Sequence, residues 1–357
     1  MSSEDGDSFV LTPTAAGDLV DSLRQDWTVT SVSGVAGSLN SVYEVTVADG
    51  GQSRPLVCKC CQGSDPASFR VEPALLAAIT EETTVPVPAV VEAAVDHPAI
   101  DGPVFVLEGC QGEDVSDGAA DLALSVAERI AADAGANLAE IHRLGDFDRF
   151  GTVRLADDVA HDRVGLRGPL GDLTVEDDAA HTWREWFEVL VEGHLDTLDE
   201  RFADLESPIR EYVTARLDRL DDVDPVLTKN DYWYFNLLVN PDSGETEAVL
   251  DFETSWTADA AYNLAVTIDG LSALAPLGSE RRRRVREALY DGYSQTRELT
   301  RDQAFRDRRA LYRVAARLPP LAHFESHTAG KSAERTAVIA AESRAFVKQC
   351  LDASADR

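Results

Sequence analysis

The spacing of hydrophobic and polar positions divides this chain into a mainly alternating first part and a mainly helical remainder. Residues 15 to 27 place Leu19, Leu23 and Trp27 at four-residue steps, which predicts a short helix. Alternation follows in "WTVTSVSG", "SVYEVTVADGG" and "PLVCKC", and the Asp-Gly-Gly turn favours an antiparallel meander of three strands. "DPASFRVEPALLAAITEE" then offers Asp65 as a cap and Pro66 at the first helical position. Its apolar residues at 71, 75, 76 and 79 predict one helix crossing the sheet. Pro86 and Pro88 break the chain before two more strands, "AVVEAAV" and "PVFVLE".

The segment "GCQGED", residues 109 to 114, reads as a linker, and beyond it the period is helical. Val126, Ile130, Ala134, Leu138 and Ile141 share one face, as a core helix requires. Residues 151 to 178, rich in Gly, Asp and Arg, have no clear period and read as a loop or insertion. Helices are expected at 180 to 219 and from about 259 to the end, with "TKNDYWYFNLLVN" and "VLDFE" between them. The expected class is α+β: an N-terminal sheet with helices over 1–108, the linker, and a largely helical part over 115–357.

Length permits two lobes, each with its own core, since the chain has 357 residues. Charge narrows the partners: 33 basic against 64 acidic residues leave −31. Such a surface repels nucleic acid and anionic membrane, so neither is expected as a partner. Only four lysines occur, Lys59, Lys229, Lys331 and Lys348, while arginine stays plentiful. That balance predicts a halophilic protein, working where the Debye length falls to about 3 Å. No apolar window reaches the ~20 residues of a membrane span, and "MSSEDGDSF" lacks signal-peptide character, so a cytoplasmic protein is expected. Cys58, Cys60, Cys61, Cys110 and Cys350 are odd in number and lack a paired C-x-x-C spacing, which predicts reduced thiols without a metal.

Four features point to one chemistry. Gly34 and Gly37, in "SGVAGSLNSVYEV", fall between two alternating strands, where backbone amides can cradle phosphates; a plain hairpin turn suits them equally. Lys59 is placed on an apolar strand face where an ammonium needs a partner or an anion, unless it snorkels into water at an edge. Glu72, on the following helix, can pair with it, or can simply sit solvated in a first helical turn. The fourth and most specific feature is Asp231, Asn236 and Asp251. Phosphoryl transfer needs a carboxylate to accept the hydroxyl proton and oxygen ligands for Mg²⁺ at the β- and γ-phosphates, and these residues suit those parts. An exposed Asx turn would explain any one of them, but not all three beside apolar strands. His142, Trp183, Trp186 and Phe187 read first as core residues, and Arg281 to Arg284 as a solvated helix surface.

The order of glycine loop, strand lysine, helix glutamate, linker, "LAEIH", "KNDYWYFN", "LDFE" and "ADAAYNLA" resembles the aminoglycoside phosphotransferase and choline kinase-like family, relatives of protein kinases, over about residues 28 to 270. The resemblance implies a bilobal protein-kinase-like fold, ATP and Mg²⁺ as cofactors, and a small molecule bearing a hydroxyl as acceptor. It implies Asp231 as catalytic base, Asn236 and Asp251 as metal ligands, and Lys59 as phosphate ligand positioned by Glu72. The backbone of residues 34 to 40, with Gly34, Gly37, Ser38 and Asn40, would cover the phosphates, and Glu108 to Cys110 would border adenine. Glu253 matches a second acidic position. The chain departs from the family's H-G-D-x-x-x-x-N and G-D-P-x-x-D-L-A patterns: Lys229 stands for the histidine, Ala258 and Ala260 for a glycine and a proline, and Asn263 for an aspartate. Asp259 keeps the acidic part of the second motif. A degenerate nucleotide-binding protein is the competing expectation.

Overall fold

The computed structural model describes residues 10–35, 39–95, 97–156, 173–272, 275–276 and 278–352. Thr12 caps helix α1 (Pro13–Leu23), its hydroxyl accepting from Ala15 N–H at 3.2 Å. The helix stops short of Trp27: Arg24 turns extended, and the Asp21 carboxylate accepts the Val29 amide at 2.8 Å, tying the chain to the first strand. Trp27 therefore begins β1 (Trp27–Val35), with the Arg24 guanidinium over its ring at 5.2 Å.

Strands β2 (Ser41–Asp49) and β3 (Gln52–Cys60) complete the expected meander. Their turn places Gly50 and Gly51 at φ +57° and +85°, the left-handed pair that a two-residue hairpin demands. Helices α2 (Pro66–Phe69) and α3 (Val71–Glu82) follow, then β4 (Val90–Ala94) and β5 (Val104–Glu108). All pairings are antiparallel in the order β1-β2-β3-β5-β4, so the fifth strand lies inside the sheet. Cys58 and Cys60 face the cluster formed with Leu19, Val20 and Trp27, while Cys61 and Phe105 face the cluster that holds α3. The pleat's alternation thus serves two cores.

Helix α4 (Leu124–Ile141) opens the helical part. Strands β6 (Val153–Leu155) and β7 (Leu173–Val175) pair where a loop was expected; three residues are too few to register as a period. Helices α5 (Trp183–Asp196) and α6 (Ala203–Thr214) precede β8 (Val226–Lys229), β9 (Leu237–Val239), β10 (Thr246–Val249) and β11 (Ser255–Ala258). Then come α7 (Ala260–Ser272), α8 (Glu280–Ser294), α9 (Gln303–Ala315), α10 (Leu318–Ala322), α11 (Phe324–His327) and α12 (Ala333–Asp352). Helices α4 and α8 approach so closely that a Cβ on Gly135 or Gly292 would collide with the Leu289 or Ala132 carbonyl.

Trp183 and Phe187 are core residues, packed with Tyr262 and Tyr312. The arginine run differs from expectation. Arg281 donates to the Leu122 carbonyl at 2.7 Å, and buried Arg282 pairs with Asp269 at 2.7 Å, so half of the run braces helix ends and buried acid. No described helix is long and apolar enough to cross a membrane.

Candidate active site

Strand β3 carries Lys59 onto the face that α3 covers. Its ammonium lies 2.6 Å from Glu72 Oε2, in the first turn of α3, and 3.7 Å from Asp251 Oδ1. Lys59 is 9 % exposed and Glu72 1 %, so this pair is buried. The other Glu72 oxygen accepts the Phe252 amide at 3.3 Å, which ties the helix to the "LDFE" segment.

The second half of the site is a tight loop after β8. Trp233 N–H bonds the Asp231 carbonyl at 2.8 Å, and Asn236 N–H bonds the Trp233 carbonyl at 3.0 Å. The Asn236 amide donates to the Asp231 carboxylate at 2.7 Å and to its carbonyl at 3.0 Å. With Nδ2 so committed, Asn236 Oδ1 is the atom left to face a cation. The other Asp231 oxygen contacts the Lys229 ammonium, which is buried and sits 5.4 Å from the centre of the Phe252 ring.

A short hairpin joins the two halves. Leu237 pairs with Val249, and Leu250 N–H bonds the Asn236 carbonyl at 2.9 Å. Asp251 follows at φ +62°, a left-handed conformation that aspartate tolerates better than most residues, and its side chain is 44 % exposed.

Carboxylate oxygens of Glu72, Asp251 and Glu253 all lie within 4.8 Å of one another. Lys59 is the ammonium they share, and the electrostatics follow from that imbalance. Burial opposes the Lys59 charge, but Glu72 and Asp251 more than offset it and raise its pKa. Burial raises Glu72 despite Lys59, and raises Glu253 despite a hydrogen bond from Ser64. Burial also works against ionised Asp251, yet Lys59 and Lys229 outweigh it and hold its carboxyl below the usual range. Three carboxylates around one ammonium leave surplus negative charge on hard oxygen donors, which fits a divalent cation such as Mg²⁺.

Other expected residues fall differently. Gly34 lies within β1, opposite Tyr43, because the strand runs on to Val35. Gly37 and Ser38 lie outside the described residues. Asn40 is buried: its oxygen accepts the Gln62 amide at 2.9 Å, and its nitrogen donates to Ser64 Oγ and to Glu253 Oε2, each at 2.7 Å. It latches the sheet to the acidic segment, a link that sequence reading missed and that no local pattern signals. The Glu108 side chain is held by Arg54, with Nε to Oε2 at 3.1 Å, and the Cys110 thiol lies 3.8 Å from the Glu108 carbonyl. Asp259 accepts from Ala261 N–H at 2.9 Å at the start of α7 and from Tyr312 OH at 2.6 Å, which makes it a brace.

The two replaced motif positions meet each other. Asn263 donates to the Lys229 carbonyl at 2.7 Å and accepts its amide at 3.3 Å, so backbone groups orient this side chain amide. Its oxygen lies 2.9 Å from His142 Nε2, which must therefore donate, leaving Nδ1 to accept from Tyr293 OH at 3.0 Å. Burial pulls the His142 pKa down to about 3, against the Asn263 hydrogen bond. The folded value lies below the ~6.5 of an unfolded histidine, so this contribution to stability is complete above that pH and is lost as pH falls. Chemical denaturation from pH 7 to 4 is expected to show a slope of up to ~1.4 kcal/mol per pH unit from this residue, which His142→Gln removes. An unchanged slope in the variant would contradict the neutral assignment.

A family model described as the phosphotransferase enzyme family matches residues 31–311. This chain belongs to that family. No curated protein matches the sequence of this phosphotransferase. Solved structures do. Aminoglycoside phosphotransferase APH(4)-Ia has a TM-score of 0.60 at 13% identity, covering 96% of this chain and 99% of that one. A thermostable mutant of it, in ternary complex with ADP and hygromycin B, has a TM-score of 0.59 at 13% identity, covering 95% and 98%. The GDP and kanamycin complex of APH(2'')-IIIa has a TM-score of 0.55 at 15% identity, covering 92% and 97%. At these identities the likeness establishes the fold: this phosphotransferase has the bilobal kinase-like architecture.

Proposed function

We propose that this phosphotransferase moves the γ-phosphoryl group of ATP to a hydroxyl of a small molecule such as an amino sugar, an amino alcohol or a sugar-like compound. The observation that carries the reading is a series of ion pairs, Glu72 to Lys59 to Asp251 and then Lys229 to Asp231, ending on a hydrogen bond from Asn236 and drawn from segments far apart in the chain. Asp231 accepts the acceptor's proton and aims its oxygen; Lys59, held by Glu72, meets the phosphates. Asn236 and Asp251, joined by Glu253, are the residues that would hold Mg²⁺, which when bound neutralises charge on the β- and γ-phosphates. Residues 1–108 supply the nucleotide side, with Glu108 to Cys110 beside adenine, and residues 115–357 supply the acceptor side across a linker at 109–114. Trp233, in the same loop as Asp231, lines a cavity of ≈ 580 Å³ with Gly270, Arg317, Phe324, Lys331 and Phe346, a size that suits a small acceptor.

One observation favours the alternative, a nucleotide-binding protein with degenerate chemistry: both Asp231 oxygens are already engaged, by Lys229 and by Asn236. A hydroxyl-acceptor panel at molar KCl, scored by ADP release, separates the two. Acceptor-dependent ADP supports the enzyme; its absence across the panel, with Mg-ATP still bound, supports the alternative. Under both readings Mg-ATP is expected to raise the melting temperature, by an amount equivalent to about 2.7 kcal/mol at a hundredfold excess over Kd. Asp251→Asn is expected to abolish the magnesium-dependent part of that shift; a shift that survives would remove Asp251 from the metal site.

A further inference from the structure

Away from this cleft, a cavity of ≈ 120 Å³ lies over α7, with Ala265, Ile268 and Asp269 on its floor and α8 and α9 as its walls. Five guanidinium groups line it: Arg282, Arg283 and Arg286 from α8, Arg309 and Arg313 from α9. Arg282 with Arg286, and Arg309 with Arg313, are four residues apart, so each helix turns two cations to one side.

Compensating charge is short. Asp269 is the one acid among the described lining residues, and its oxygens are shared by Arg282 at 2.7 Å and Arg317 at 2.9 Å. Glu287 takes Arg286 at 2.8 Å but also Arg301 at 2.6 Å, and Arg283 reaches Glu280 only at 3.8 Å. Arg313 has a contact to Cys350 Sγ at 3.3 Å and no carboxylate within ion-pair distance among the described residues. Arg309 has neither an ion pair nor a hydrogen bond there; burial, with Arg286 and Arg313 close by, lowers its pKa against the opposing effects of Tyr290 and Glu287. Among the described residues no carboxylate lies within ion-pair distance of this pair of cations, and Glu287 acts on Arg309 only from farther away.

Partly buried like charges are costly unless an anion enters. Guanidinium forks match a tetrahedral oxyanion better than a halide, because each offers parallel N–H groups to two oxygens. Ser279, the N-cap of the 15-residue α8, lines the same cavity and adds the positive end of the helix dipole. One water needs about 10–15 Å³ by this measure, so the space suits a phosphate group and is small for a nucleotide.

We propose that the α7–α8–α9 cavity binds a phosphate-class oxyanion, as the free ion or as the phosphate of a small ester, separately from the Lys59–Asp251 cleft. Asp269 connects the two regions structurally: it ties Arg282 in this cavity to Arg317 on the wall of the larger one beside Trp233.

The test is thermal unfolding of the full chain at constant molar KCl, titrated with potassium phosphate, glycerol 3-phosphate or ribose 5-phosphate. A saturable rise in melting temperature is expected above the non-saturating increment that excluded anions produce. It is expected to persist in Lys59→Ala and to disappear in Arg309→Met, whose own melting temperature without phosphate should rise because one of the facing cations is gone. Arg313→Met is expected to behave alike, and Arg309→Lys, which keeps charge but not the fork, to weaken binding roughly tenfold. Response to inorganic phosphate alone identifies the free ion, and response to the esters identifies a metabolite. The proposal fails if none of the three probes gives a saturable shift, or if both methionine variants keep it in full.

Discussion

Asp231→Asn is expected to lower acceptor-dependent ADP release by about 10²–10⁴-fold, the range that a positioned general base supplies. The amide keeps the carboxylate's shape and can still meet Asn236, but it cannot take the proton. A second effect comes with it. The Lys229 side chain is 1 % exposed and Asp231 31 %, so the substitution leaves a buried ammonium without its carboxylate. Because Asp231 is partly solvated, the expected loss of stability is about 2 kcal/mol, below the ~3–5 kcal/mol of a fully buried pair. Adding Lys229→Met to Asp231→Asn should restore most of that stability without restoring turnover. Turnover that survives Asp231→Asn would end its assignment as base. Stability that the second substitution leaves unrecovered would show that Lys229 is neutralised elsewhere.

Glu72→Gln is expected to destabilise the fold by about 3–5 kcal/mol in equilibrium urea unfolding, since the buried Lys59 ammonium loses its close partner and keeps Asp251, at 3.7 Å, with Glu253 farther off. Lys59 should swing toward Asp251, which removes it from the phosphates and competes with the cation. The expected catalytic signature is a KM for ATP raised about tenfold or more, with kcat lowered as well. Lys59→Met in the same chain should recover much of the stability while ATP binding stays impaired. Additive losses in that double-mutant cycle would show that the two side chains do not act as a pair.

Much of the architecture was legible in the chain because it rests on local periodicity. The alternation around "SVYEVTVADGG", the cap at Asp65 and the apolar face from Val126 to Ile141 each specify an element by neighbours a few residues apart. Local periodicity does not encode elements that are short or whose partners are distant. Trp27 continued a four-residue step but joined β1; Gly34 looked like loop and pairs with Tyr43; β6 and β7 have three residues each. Arg281 and Arg282 looked solvated, yet one braces the carbonyl of Leu122 and the other neutralises Asp269.

By itself the sequence determined the class of fold, the order of its elements and a short roster of groups with phosphoryl-transfer chemistry, because periodicity, caps and motif spacing are written within single segments. Only the tertiary structure decided which of those groups touch. It inserted β5 between β3 and β4, turned Asn40 into a latch on Glu253, gathered Glu72, Asp251 and Glu253 around one ammonium, and left the arginines of α8 and α9 facing a cavity. The physical reason is range: a backbone period acts over a few residues, whereas an ion pair or hydrogen bond between residues 40 and 253 exists only after packing has brought their segments within about 3 Å.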